Sequence, residues 1–138
     1  MQAQEIFDTV ARTLLAQEAR SSTDGLCMYR GSNGAKCAVG HLIPDEVYRP
    51  EMDMDPSGQS GTGVRELLKK YGDVLPSYFA EHVDLLMDLQ EAHDGHVWSP
   101  SRKYMRQRLA EVAHRHDLNP DVALTAKAYG EAEDANDA

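Results

Sequence analysis

The sequence predicts a mainly α protein, a single-domain bundle of about five helices interrupted early by a small β-hairpin near residues 26–39. Three observations carry that expectation. Apolar residues recur at steps of three and four through 3–20 and again through 77–93, the period of one helix face. Ser99-Pro100 and Asn119-Pro120 each set a cap-forming side chain before a proline, the arrangement that opens a helix. Asn33-Gly34 lies between two short flanks, and both residues tolerate the positive φ of a tight hairpin turn.

Taken in order, Ile6, Phe7, Val10, Leu14 and Leu15 form the apolar face of a first helix over 3–20. Ser21 to Gly25 breaks the period with turn-forming residues. The hairpin flanks are Leu26 to Tyr29 and Ala35 to Val39. With its turn centred near Ser32, positions summing to 64 face each other, so Cys27 lies opposite Cys37. A one-residue slip separates them. Pro44 with Asp45 and Glu46 opens a short helix that Pro50 stops. Glu51 to Gly63 reads as a loop, and Val64 to Tyr71 as a helix ended by Gly72.

The stretch 77–93 is the expected central core helix, with Phe79, Val83, Leu86, Leu89 or Gln90, and His93 at helical spacing and Leu85 widening the stripe. Gly95 ends it. The helix opened by Ser99-Pro100 carries Met105, Leu109, Val112 and Ala113, and a last short one runs from Asn119-Pro120 to Tyr129. Residues 1–130 thus form one helical domain with a hairpin insertion, and 131–138 an acidic C-terminal tail. At 138 residues the chain can bury a core of its own. No apolar run approaches the roughly 18 residues of a membrane span, and no basic segment followed by an apolar one opens the sequence, so the expectation is a cytoplasmic protein. Two cysteines are too few for a disulfide framework and are expected as free thiols.

The formal charge of −9 excludes general nucleic-acid binding as an expectation, because such affinity comes from cations neutralising phosphates. The charge is uneven. Gly25 to Pro44 holds no acid but has Arg30 and Lys36, whereas Asp45, Glu46, Glu51, Asp53 and Asp55 follow closely. Arg102, Lys103, Arg106 and Arg108 make a basic helix face, for which internal neutralisation by the acidic loop and tail is the simpler reading.

Several short words occur in one order: Cys27-x-Tyr29-Arg30-Gly31, then Lys36-Cys37-Ala38-Val39-Gly40-x-Leu42-Ile43-Pro44-Asp45-x-x-Tyr48, then Leu89-Gln90-x-x-His93-Asp94 and Trp98. In this the chain, up to about Asn119, resembles small uncharacterised proteins encoded by bacteriophages and bacterial genomes. That resemblance implies a phage or mobile-element origin and an accessory role exercised by binding, and it supplies no mechanism.

The candidate binding residues are Tyr29, Arg30 and Lys36 on the hairpin, with Tyr48, Gln90, His93 and Trp98 elsewhere. Cations, amides freed by glycines and aromatic faces are the parts that hold a phosphate and stack a base. The plainer reading pairs Arg30 with the acidic loop and buries the aromatics in the bundle. No metal is expected, although Cys27, Cys37 and His41, joined by His93 or His96, offer ligand types that suit zinc. Buried inert thiols are the plainer account, since the spacing fits few fingers.

His93-Asp94 offers the adjacent imidazole and carboxylate of HD-type metal phosphohydrolases. Asp53-x-Asp55-x-Ser57-Gly58 imitates the start of a calcium loop but has Val64 where a carboxylate is needed. No catalytic residue is assigned and no cofactor is expected. The expected function is a phage-type accessory protein that binds and modulates a host protein. A binder of a small anionic ligand such as a nucleotide signal is the alternative, and an HD-like hydrolase the third.

Overall fold

Helix α1 (Ala3–Ala16) packs against three of the other helices. It buries Ile6, Phe7, Val10, Ala11, Leu14 and Leu15 completely, the positions that the three-and-four spacing selects. Its first turn is closed by Glu5, whose side chain accepts the Gln2 amide proton at 3.0 Å. It ends earlier than the sequence suggested, because Gln17 turns extended at φ −79°, ψ 139°.

The structure is a computed structural model that describes residues 1–17, 22–23, 26–27, 29, 36–53, 63–94 and 102–129, with backbone alone for 22–23, 26–27, 93 and 94. Among the described residues there are five further helices: α2 (Val64–Tyr71), α3 (Tyr78–Glu81), α4 (Val83–Asp94), α5 (Lys103–Arg115) and α6 (Asp121–Thr125). Helices α4 and α5 pack together, α1 lies against both, and α6 packs on α1 and α5. Helices α2 and α3 rest against α4. The mainly α bundle that the sequence predicts is what forms.

Helix α2 has the bounds the sequence predicts, from Val64 to the Gly72 cap, and turns Val64 and Leu67 inward. The expected long helix over 77–93 is two helices. His82, at φ −126°, ψ 35°, interrupts the ladder, yet Phe79, Leu85, Leu86 and Leu89 still meet the core. An apolar stripe reports which side is buried and is blind to a one-residue kink. Helix α5 starts at Lys103, with Arg102 at its cap; Ser99 and Pro100 lie outside the described residues. Helix α6 stops at Thr125, short of Tyr129.

The hairpin expected over 26–39 is not formed in that register. The two-stranded antiparallel ladder is β1 (Ser22–Thr23) with β2 (Leu26–Cys27), pairing Ser22 with Cys27 and Thr23 with Leu26. Asp24-Gly25, between these strands in the sequence, is as strong a turn signal as Asn33-Gly34 and competes with it. The Tyr29 carbonyl accepts the Cys37 amide proton at 3.1 Å, whereas the expected register pairs Tyr29 with Ala35. The Asn33-Gly34 turn itself lies outside the described residues.

The short helix expected after Pro44 is reduced to a turn, in which Val47 and Tyr48 both donate to the Pro44 carbonyl at 3.0 Å. Short 3-10 helices flank it at Gly40–Leu42 and Pro50–Asp53.

Candidate functional site

Residues 36–53 form an irregular segment that is fixed to the bundle by polar contacts as well as by its buried apolar residues. Cys37, Ala38, Val39, Leu42, Ile43 and Met52 are buried, so the segment is part of the core on one side. A buried non-helical backbone must find partners for its amides and carbonyls, and side chains of distant elements supply several.

Gln17 supplies two. Its Nε2 donates to the Lys36 carbonyl at 2.7 Å and its Oε1 accepts the Lys36 amide proton at 2.9 Å. A primary amide thus stands where a neighbouring strand would. Gln90 of α4 accepts the Val39 amide proton at 3.2 Å. Cys37, fully buried, uses its Sγ to accept the Gly40 amide proton at 3.2 Å, and its carbonyl accepts that of His41 at 3.1 Å. Cys37 therefore does the work of a helix N-cap for the 40–42 turn. Tyr78 of α3 donates its hydroxyl to the Leu42 carbonyl at 3.2 Å, and burial pushes that phenol's pKa up.

The far end of the segment is held by Asp53, a carboxylate only 5% exposed. Its Oδ1 accepts the Tyr29 amide proton and its Oδ2 accepts the Tyr48 hydroxyl proton. A buried carboxylate is tolerated when its oxygens are engaged in this way. Gly40 sits directly against the Tyr29 backbone: a Cβ there would lie 2.0 Å from the Tyr29 carbonyl oxygen. Only glycine permits that approach.

The same hub ties the helices. Helix α1 has no cation in its last turn. Its terminal carbonyls are met from elsewhere, Leu15 by the Tyr129 amide at 2.8 Å and Gln17 by Nη2 of the buried Arg102 at 3.1 Å. A guanidinium at the negative end of a helix is electrostatically favourable. Arg106 does likewise for α6, donating to the Ala123 and Ala126 carbonyls at 3.1 and 2.7 Å. The basic face read in α5 is thus partly an inward-turned one, and two of its arginines, Arg102 and Arg106, serve helix ends.

Of the candidate binding residues, Tyr29, Lys36, Tyr48 and Gln90 are brought into this one neighbourhood. Tyr29 is buried, and Tyr48 and Gln90 are half-buried braces. Lys36 remains open, 38% exposed, with Nζ 3.9 Å from Asp45. Arg30 and Trp98, and the side chains of His93, Cys27 and Asp94, lie outside the described residues. Among the described residues no three side chains of His, Cys, Asp or Glu are grouped to hold a metal ion; Cys37 and His41 share the 37–42 turn.

Sequence reasoning missed Gln17 and the bracing roles of Arg102 and Asp53. Asp53 carried no usable signal beyond its place among the acids of the 45–55 stretch. A glutamine at a helix end and an arginine in a basic run carry none.

On the outer side the braced segment exposes Asp45, Glu46, Arg49, Pro50 and Glu51. Comparisons with protein-family models, curated proteins and solved structures find no match to this chain.

Proposed function

We propose that this protein is a phage-type accessory protein that acts by binding a host protein, with the outer side of residues 36–53 as its recognition surface. The observation that carries the reading is the bracing of that segment by Gln17 and Gln90 from behind, and by its own Asp53, which holds the Tyr48 hydroxyl and the Tyr29 amide. An irregular segment held in one conformation loses little entropy on binding, which is the main cost of recognition by loops. Its exposed groups are predominantly acidic, Asp45, Glu46 and Glu51 beside Arg49, so the complementary partner surface is basic. Function carried on a segment that a rigid scaffold presents is a common division of labour.

The test uses the full chain as bait in host lysate, followed by titration of the purified partner against Asp45→Lys and Glu46→Lys. Both positions are exposed, so the melting temperature stays unchanged while association weakens about tenfold, chiefly through the on-rate. Affinity that is untouched by either reversal removes this segment as the surface. A melting temperature raised by a nucleotide, with no partner recovered, replaces the reading by ligand sequestration.

A further inference from the structure

Tyr104, Arg108, Glu111 and Arg115 of α5 follow one another at steps of four, three and four, which keeps them on one face of the helix. The adjoining side of the helix buries Met105, Leu109, Val112 and Ala113. Tyr104 is 62% exposed, the highest value of any large apolar side chain among the described residues. Arg115 lends Nη1 to Asp88 of α4 at 3.3 Å and keeps its side chain 59% exposed. The side chains of Arg108 and Glu111 form no hydrogen bond or ion pair among the described residues, although both border the α4–α5 groove.

The spacing of this stripe is the same read in either direction, and its midpoint falls between Arg108 and Glu111. A two-fold axis through that point lays a second α5 antiparallel on the first and pairs positions summing to 219. Arg108 then faces the partner's Glu111, and Tyr104 faces the partner's Arg115; by symmetry each pair occurs twice. The first is an ion pair between charges with no partner among the described residues. The second sets a guanidinium on an aromatic ring, an attractive contact in its own right. A parallel pairing in register would instead oppose arginine to arginine and glutamate to glutamate.

We infer that this face of α5 docks a second copy of the chain, antiparallel, about a two-fold axis between Arg108 and Glu111. The charge order on the helix is the argument, because a face complementary to itself under a two-fold rotation is what an isologous dimer requires. The stripe is about 16 Å long at 1.5 Å per residue. A contact of that extent lies at the small end of interfaces, below about 1,200 Å² in total, where association is weak. Mutual repulsion of two chains of charge −9 opposes it at long range and is largely screened at physiological salt, where the Debye length is about 8 Å.

Sedimentation of the full chain at physiological salt, over concentrations up to about 0.5 mM, tests this through a dissociation constant on the order of 100 μM. Arg108→Glu alone sets glutamate against glutamate, and Glu111→Arg alone sets arginine against arginine, so each weakens self-association at least about tenfold. Mixing these two variants restores association, because each Glu then meets an Arg on the other chain in both halves of the contact. Tyr104→Ala weakens it independently, and circular dichroism melts confirm that each variant is folded. A wild-type chain that stays monomeric throughout overturns the inference. So does self-association that survives the single reversals, or a mixture of the two folded variants that remains monomeric.

Discussion

The Gln17 side chain and the Lys36 backbone exchange two hydrogen bonds, at 2.7 and 2.9 Å, so the residue that ends α1 also anchors the start of the braced segment. Removing that side chain leaves a part-buried amide and carbonyl without these partners. Gln17→Ala is expected to lower stability by about 1–3 kcal/mol, read as a lower urea midpoint with unchanged m-value. Hydrogen exchange at the Lys36 amide should accelerate more than at the α1 core. Gln17→Glu keeps the acceptor but sets a carboxylate against a carbonyl, so it should not rescue.

Asp53 and Tyr48 form the second clasp. Asp53→Ala removes the acceptor for both the Tyr29 amide and the Tyr48 hydroxyl and should cost about 1–3 kcal/mol. Tyr48→Phe alone should cost less, since it leaves Asp53 its Tyr29 amide. A double-mutant cycle of the two should give a coupling of about 1 kcal/mol or more; additive losses would show that the two side chains stabilise the fold independently.

Gly40 separates steric from conformational explanations. The Cβ of Gly40→Ala would sit 2.0 Å from a backbone oxygen, and backbone cannot swing aside as a flexible side chain can. The loss should exceed about 2 kcal/mol. Gly63, at the α2 N-cap, has open space around its Cβ position, so Gly63→Ala should stay within about 1 kcal/mol of wild type. Equal effects at the two positions would remove the close approach as the reason for Gly40.

Tyr78 makes stability pH-dependent on the alkaline side. Burial raises its pKa, so the folded protein holds the phenolic proton more tightly than the unfolded chain does. That contribution is fully present below the ordinary tyrosine value near 10, and it is lost as pH rises through the folded value. Tyr78→Phe should therefore lose less stability than wild type above about pH 10. Phenolate absorbance of the two proteins should differ by one group that titrates above the ordinary tyrosine value, and a difference that titrates at the ordinary value would contradict the burial.

The class of fold and most helix faces are legible in the chain alone, because burial follows a period that residues such as Phe7, Leu14, Leu86 and Leu109 write locally. So is α2, almost to the residue, since an apolar start and the terminal Gly72 are neighbours in the chain. The kink at His82, the Ser22–Cys27 ladder and the end of α1 emerge only in the folded chain, where competing local signals are nearly equal in strength. The bracing of 36–53 likewise emerges only there. Gln17 meets Lys36, Arg102 meets Gln17, and Gln90 meets Val39 across 19 to 85 residues of chain. Backbone hydrogen bonding by a polar side chain leaves no periodic trace, so such a partner becomes visible only once the core has brought the two together.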